Sequence, residues 1–318
     1  MESYVNNMPT FGDLTNVSVE KLQELSAVLA KILALPIARD TYAQIIDGKP
    51  TRIPHSDQDK ASQSQPTDQA VQEYEKIRKA FAPENLLIDL KLAQDYQNAP
   101  LNSRENHLQL LRIAAASVNA LARKTYQDFH SDIVIKPSKL PELSHHQSNG
   151  VDDFYHSNYR EFKRYPFGRL DIMSYWAETE LFGGVVLFER DESGSNIINA
   201  FLQAQNWWRT FQLSENQIEH FAALKGLDSS AETVLPFARE ADARIEKSFV
   251  RVGQTLRIYK NEYDKPAPSD WPTQSSCVIR QGDPRAASLE EAMRFIKEQG
   301  LDKKSPTFSG PFPPPPPL

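Results

Sequence analysis

Histidines and carboxylates gather in one stretch of the chain and raise the question of a metal site. His145, His146 and His156 lie close in sequence to Asp152 and Asp153. Neutral imidazoles and carboxylates are common ligands of zinc and iron, but a productive site needs a rigid scaffold and fixed outer-shell partners. The surrounding residues are polar and rich in proline, which is typical of a loop. We therefore expect solvated histidines and no metal site.

Paired carboxylates can serve as acid and base when burial separates their pKa values. Glu178 and Glu180 flank a hairpin-like turn in the pattern, and Asp191 with Glu192 stands at the next turn. Carboxylates in turns are normally solvated. Solvated side chains are therefore the expectation here as well.

The remaining catalytic patterns name no reaction and no cofactor. Tyr159 and Lys163 share the Y-x-x-x-K spacing of short-chain dehydrogenases, but no glycine-rich dinucleotide turn follows a strand in this chain. Cys277 has no histidine near it in sequence, which favours a buried strand thiol over a nucleophile. The sequence also lacks G-x-S-x-G, Walker A, H-E-x-x-H and C-x-x-C motifs.

Tryptophans and a glycine pair mark a candidate ligand pocket. Aromatic side chains can line an apolar pocket, or they can fill the core beneath a helix. Two glycines in a predicted strand indicate a bulge or a close approach, either of a ligand or of the chain itself. The candidate pocket residues are Trp176, Gly183, Gly184, Trp207 and Trp208.

The C-terminal end of the sequence is rich in proline. A proline run adopts polyproline II, which loses little entropy when it binds. The run resembles the ligands of EVH1 domains and of profilin, which implies a polyproline-binding partner; the alternative is an unstructured terminus without one. The residues concerned are Phe312, Pro313, Pro314, Pro315, Pro316, Pro317 and Leu318.

Composition and charge restrict the class of protein. The 318 residues carry 36 Lys plus Arg against 42 Asp plus Glu, a net charge of −6. A cationic stretch does occur, interleaved with Tyr159, Phe162, Tyr165 and Phe167, but it fits a strand edge or loop better than a base-stacking surface. Its cations are Arg160, Lys163, Arg164 and Arg169. We expect no nucleic-acid partner.

The compartment follows from three further features of the sequence. No apolar run approaches the roughly 20 residues that span a bilayer, and residues 1–13 lack the pattern of a secretory signal. The single cysteine fits a reducing compartment. We therefore expect a cytoplasmic protein with no membrane partner.

The elements that must position these residues change character along the chain. Residues 1–130 show helical spacing: Ser18 is a candidate N-cap, Pro36 and Gly48 bound a second helix, and Ser103 begins a long one. Residues 131–160 read as a linker or long loop.

Beyond the linker the period of the apolar pattern shortens. Leu170–Glu178, Leu181–Arg190 and Ile197–Gln203 read as three strands of an antiparallel meander, with a fourth at 209–213. Ser214 and Gln217 form a capping-box pattern, and further helices are expected near 231–247 and from Ser288. Further strands are expected near 255–260 and 276–281.

The predicted fold class is α+β: an N-terminal helical region followed by an antiparallel β-meander covered by helices. The predicted divisions are a helical region at 1–130, a linker at 131–160, an α+β domain at 161–300 and a proline-rich tail at 301–318.

One segment of the predicted α+β domain resembles a known group of proteins. Tyr175-Trp176-Ala177-Glu178 followed by Phe182-Gly183-Gly184-Val185-Val186-Leu187-Phe188 resembles a group of proteins of filamentous fungi with no assigned activity. This resemblance implies a fungal origin and no catalytic residue.

Two hypotheses for function remain open. The first is a binding or interaction protein without a catalytic site. The second is an accessory enzyme or small-molecule binder, in fungal secondary metabolism if the resemblance is followed. A cleft with convergent buried polar groups favours the second hypothesis, whereas a filled core with an exposed apolar patch favours the first.

Overall fold

The computed structural model describes residues 9–51, 65–130, 151–154, 156, 158–159, 165–205, 209–226, 229–247, 257–261 and 263. The α-helices of this part of the chain are α1 (Val19–Leu33), α2 (Pro36–Asp47), α3 (Asp68–Lys79), α4 (Leu90–Asn98), α5 (Arg104–Phe129), α6 (Arg169–Phe182) and α7 (Glu215–Ala222). Its strands are β1 (Phe11–Gly12), β2 (Ile88–Asp89), β3 (Val185–Arg190), β4 (Ile197–Gln203), β5 (Arg209–Gln212), β6 (Ile245–Lys247) and β7 (Ile258–Tyr259). Helices and antiparallel sheets are both present, and the fold is α+β.

The helices of the N-terminal half begin and end where their local signals predict. Pro36 opens α2, and Gly48 ends it in the left-handed conformation with φ of 69°. The Ser103 side chain accepts a hydrogen bond from the Asn106 N–H at 3.0 Å and thereby caps α5. These short-range signals are independent of the rest of the fold, which is why they can be found in the sequence.

The segment predicted as the first meander strand is a helix, and this prediction was wrong. Residues 170–178 belong to α6, which ends at Gly183 with φ of 85°. Neighbouring elements cover almost the whole of α6, so apolar residues occur on every side of it. A helix buried on all sides shows no amphipathic period, and its aromatic content then favours a strand.

Five strands form one antiparallel sheet in the order β6-β5-β4-β3-β7. The predicted strands at 197–203 and 209–213 are confirmed as β4 and β5, and the strand expected near 255–260 is confirmed as β7. Both faces of β3 are buried: Val186 and Phe188 belong to the main core, and Val185 and Leu187 to a second cluster with several tyrosines. This explains the unbroken apolar run in β3.

The capping box at the start of α7 is confirmed, with both reciprocal hydrogen bonds between Ser214 and Gln217 present. The helix predicted near 231–247 was wrong. A single 3₁₀ turn covers Ala231–Thr233, and the chain then runs irregularly until β6. Pro236 lacks an N–H and cannot continue a helix, and the next N–H, that of Phe237, donates to the Phe182 carbonyl at 2.9 Å.

Helix α5 lies at the centre of the described structure. It packs against α1, α2, α4, α6, α7 and β4. One hydrophobic core contains residues from both sides of the predicted boundary at 131–160, among them Leu29, Leu111, Phe182 and Phe221. The division into two domains stays a prediction. The strands and helices predicted after residue 263 lie outside the described residues.

Within the described part of the chain, no helix is both long enough and apolar enough to cross a bilayer.

Candidate functional site

A buried polar network connects α5, α6 and the segment after β7. The Glu178 carboxylate is fully buried. Its Oε1 accepts hydrogen bonds from the Lys260 Nζ at 2.6 Å and the Val186 N–H at 2.8 Å, and its Oε2 accepts one from the Asn119 Nδ2 at 2.7 Å. The expectation that Glu178 is a solvated turn carboxylate was wrong, because α6 carries it into the core.

The orientation of the Asn119 amide follows from this contact. An ionised carboxylate only accepts hydrogen bonds, so the NH₂ group of Asn119 must face Glu178. The amide oxygen, Oδ1, is buried and has no hydrogen-bond partner among the described residues. Buried polar atoms are usually paired with protein or with ordered water.

A second buried ion pair lies on the same face of α5, one helical turn further on. The Arg123 Nη1 donates to the Asp171 Oδ1 at 2.9 Å, and the Asp171 Oδ2 accepts the Phe167 N–H at 2.8 Å. The guanidinium carbon of Arg123 lies 4.3 Å from the centre of the Phe167 ring, a cation–π distance. Burial raises the pKa of the Asp171 carboxyl, although the Arg123 charge and these hydrogen bonds act in the opposite direction.

Two adjoining cavities open beside this pair. The small cavity has a volume of about 30 Å³ and includes Asp89, Asn119, Tyr175 and Lys260 in its wall. The large cavity has a volume of about 270 Å³. Its wall consists of Asn85, Leu86, Leu87, Ala120, Arg123, Lys124, Gln127, Asp128 and Phe167.

Leu87 and Arg123 line both cavities and form the wall that the two share. The Leu87 side chain is 51% exposed, so the cavities meet the surface at this residue. Within the small cavity, burial raises the pKa of the Asp89 carboxyl. Leu87 shares the exposed rim of the large cavity with the polar residues Asn85, Lys124 and Asp128, and the buried charged groups in the two walls are Arg123 and Lys260.

A comparable polar network elsewhere in the molecule lines neither cavity. Glu24 accepts hydrogen bonds from the Lys225 Nζ at 2.6 Å, the Tyr96 hydroxyl at 3.0 Å and the Asn106 amide at 3.1 Å. Lys21 donates to the side chain of Asn106 and to the Ala99 carbonyl. These groups satisfy one another, and their role is to join α1, α5 and the turn after α7.

His156 is the only one of the three clustered histidines among the described residues, and it is fully buried. The expectation of a solvated side chain was therefore wrong for it. Burial lowers the pKa of His156 to about 3. Its Nδ1 accepts the Asn158 N–H at 3.2 Å, and within the described residues its Nε2 has no partner. Those residues contain no group of three or more His, Cys, Asp or Glu side chains that could hold a metal ion.

The structure describes three of the five candidate pocket residues, Trp176, Gly183 and Gly184. Trp176 is buried on α6 and contacts Phe154 edge to face at 4.8 Å, and it lines neither cavity. Gly183 and Gly184 are in close contact with the backbone of Phe237 and Gln203, respectively. Trp207 and Trp208 lie outside the described residues, so a pocket formed by these tryptophans stays a prediction.

Several other expectations fall on residues that the structure does not describe. They are the thiol of Cys277, the histidines His145 and His146, and the tail residues Phe312, Pro313, Pro314, Pro315 and Pro316. Of the aromatic residues between the cations, Tyr159, Tyr165 and Phe167 are buried and offer no free ring to a nucleic-acid base.

The sequence interpretation missed Asn119 and Arg123, which line the cavities, and their partner Asp171, and it considered Glu178 only as a solvated turn carboxylate. Asn119 and Arg123 are polar positions in an otherwise apolar part of α5, and Asp171 and Glu178 stand seven residues apart on α6. That spacing places two carboxylates on one face of a helix, a signal that the strand interpretation hid.

No protein-family model, no curated protein and no solved structure matches this chain, so the site is interpreted from its own geometry.

Proposed function

We propose that this protein binds a small molecule in the paired cavities beside Arg123. The observation that carries the proposal is the large cavity of about 270 Å³, which shares a wall with a small cavity containing buried polar groups. Its volume of about 270 Å³ lies just below the roughly 300–1,000 Å³ typical of ligand pockets. A convergence of buried polar groups on a cleft is the feature that favours a ligand-binding protein over a protein with a filled core.

The walls of the cavities suit a ligand that is partly apolar and partly polar. Leu86, Leu87 and Phe167 supply apolar surface in the large cavity, and Arg123 supplies fixed hydrogen-bond donors. The small cavity holds about one or two water molecules by volume. We assign binding, and we assign no reaction.

The test is a binding measurement that includes a variant with a filled cavity. Ala120 lies in the wall of the large cavity, so Ala120→Leu places three further carbon atoms in it. The matched control is Ala30→Leu, the same change at an exposed position of α1. A library of metabolites is screened against the full chain by ligand-observed NMR and by thermal shift, since a ligand of the native state raises stability by mass action.

We expect compounds that bind the wild-type protein and the Ala30→Leu variant, and that bind Ala120→Leu at least about tenfold more weakly. Compounds that bind all three proteins equally would place the ligand elsewhere. A screen in which nothing binds the wild-type protein would overturn the proposal.

A second proposal concerns the proline-rich tail. We propose that Phe312 and the prolines after it bind a polyproline-recognising protein, because such proteins accept proline-rich sequences of this kind. The test compares the full chain with a chain that ends at residue 305, using a purified EVH1 domain and purified profilin. Binding lost with the tail supports the proposal, and equal binding or none contradicts it.

We also propose a cytoplasmic location. The single cysteine, which has no partner within this chain, supports it because disulfides are rare in reducing compartments. Cell fractionation with an antibody to the native protein tests the location, and recovery in the membrane or secreted fraction would contradict it.

A further inference from the structure

The Arg123 guanidinium is held in place on two sides. Its Nη1 donates to the buried Asp171 carboxylate, and its face lies over the Phe167 ring. Asp171 is fixed in turn by the N–H of Phe167. A guanidinium clamped in this way loses little further entropy when it binds another group.

The opposite edge of the guanidinium is unused. Among the described residues, the Arg123 side chain makes one hydrogen bond, from Nη1 to Asp171. Its Nε and Nη2 atoms donate to no described group. Neither nitrogen is among the buried atoms without a partner, so both remain accessible to solvent. Because Arg123 lines both cavities, this edge is available to a molecule inside them.

The Nε–Nη2 edge has a definite preference for its partner. These two N–H groups are parallel and match the two oxygens of a carboxylate, which gives a bidentate, charge-assisted contact. A neutral carbonyl oxygen can occupy only part of that edge.

The charged groups around the large cavity are already paired with one another, so no unpaired carboxylate of the described residues lines it, and the attraction for an anion comes from the unused N–H donors of Arg123. Lys124 and Asp128 of its wall pair with each other at 2.8 Å on the surface. Lys260 pairs with Glu178, and Asp171 is already matched by Arg123. The Asp89 carboxyl lies in the small cavity, which makes the large cavity the better place for the body of an acid.

We propose that the ligand is a small organic acid whose carboxylate binds the Nε–Nη2 edge of Arg123 and whose apolar body fills the large cavity. This inference rests on the proposed binding function and names the chemical class of its ligand. The leucines and the Phe167 ring supply the apolar part of the wall, against which an aliphatic or aromatic body packs, and Asn85 and Gln127 belong to its polar part.

The experiment compares acids with their neutral amides, so that charge changes and shape does not. The probes are hydrocinnamate and hydrocinnamamide, and octanoate and octanamide, each titrated into the full chain at neutral pH. The variant is Arg123→Lys, which keeps a cation for Asp171 and removes the bidentate edge. The control is Arg112→Lys on the same helix, since Arg112 is also buried, pairs with Asp95 at 3.0 Å and lines neither cavity.

We expect the wild-type protein and Arg112→Lys to bind an acid at least about tenfold more tightly than its amide, and Arg123→Lys to lose this preference. A second measurement needs no variant: the NMR signal of the Arg123 Nε–H moves when the acid is added and stays in place with the amide. Amides that bind as tightly as the acids would overturn this inference and leave the proposed function standing. Failure of all four probes to bind would overturn the inference, while hits elsewhere in the metabolite screen would preserve the binding function.

Discussion

The Nζ atom of Lys260 lies 2.6 Å from Oε1 of Glu178, and neither side chain is more than 5% exposed. The two residues are 82 positions apart in the sequence, and their contact fastens the segment after β7 to α6. The same carboxylate also accepts a hydrogen bond from the N–H of Val186, so it joins strand β3 to α6 and to the segment after β7. This one buried carboxylate therefore holds two residues of the small cavity's wall, Lys260 and Asn119.

Removing one partner of this pair is expected to destabilise the fold strongly. Lys260→Met leaves the Glu178 charge buried with only its two neutral donors, and an uncompensated buried charge costs about 3–5 kcal/mol. Glu178→Gln leaves the Lys260 ammonium uncompensated. The double variant removes both charges, and we expect it to be more stable than either single variant. Urea unfolding measures the free energies, and a double variant whose loss equals the sum of the single losses would show that the pair is not coupled.

Parts of this architecture are readable from the sequence because their causes are local. Helix ends are set by the backbone or side-chain chemistry of single residues, namely Pro36, Gly48 and Ser103. Strand β4 is recognisable because its sequence is rich in apolar residues over its whole length. Helix α6 could not be recognised by period, because contacts with distant elements bury it on all sides. An amphipathic apolar stripe appears in the sequence of a helix only where one face of that helix is exposed to water.

The site residues were hidden for a related reason. Asn119 and Arg123 read as ordinary polar positions of a long helix until their partners are known. Those partners, Glu178 and Asp171, are 59 and 48 residues away, and the pairing depends on how α5 crosses α6. Sequence spacing alone holds no information on that crossing.

Two alanines of α5 allow the large cavity to be tested through stability alone. Ala115 is fully buried in the core, whereas Ala120 lies in the cavity wall. We expect Ala115→Leu to cost about 1–3 kcal/mol through overpacking, and Ala120→Leu to change the free energy of unfolding by less than about 1 kcal/mol. Helix propensity does not distinguish the two changes, since both exchange the same residues.

Chemical denaturation of the two variants measures this difference. An equal loss in both would mean that the space beside Ala120 is closed in solution. That result would also count against the proposed binding function, independently of any ligand.

The buried imidazole of His156 is expected to make stability depend on pH. Its pKa is lowered to about 3 by burial, against 6.5 for an ordinary histidine. Between these values the unfolded chain binds a proton that the folded protein does not, so the free energy of unfolding falls as the pH is lowered. The contribution is up to about 1.4 kcal/mol per pH unit below 6.5.

The His156→Phe variant isolates this contribution. We expect the wild-type protein to lose more stability than His156→Phe between about pH 6 and pH 4.5, as measured by urea unfolding. Desolvation also lowers the pKa of His107, and burial raises that of Asp171. Both groups are present in the wild type and in His156→Phe, so their contributions to the pH dependence cancel when the two profiles are compared. His220→Gln serves as the control, since His220 is exposed on α7. Parallel pH profiles for the wild type and His156→Phe would show that the imidazole is not buried.

The glycine pair at the end of α6 distinguishes close packing from an open ligand site. A Cβ at Gly184 would lie 2.6 Å from the Gln203 carbonyl oxygen, and one at Gly183 would lie 2.8 Å from that of Phe237. Gly183 also has a φ of +85°, so Gly183→Ala adds backbone strain to the steric clash. Gly194 is the matched control, since its φ is +72° but nothing lies within 4 Å of the position that a Cβ would take there.

We expect Gly194→Ala to cost about 1 kcal/mol, which reflects the left-handed conformation alone. Gly183→Ala is expected to cost clearly more, because its methyl group meets backbone that cannot move away. Gly184→Ala has no such strain, so its loss measures the contact with β4 directly. If Gly184→Ala unfolds at the same urea concentration as the wild type, there is room beside the glycine pair, and the pocket expected near Trp176 regains its support over close packing.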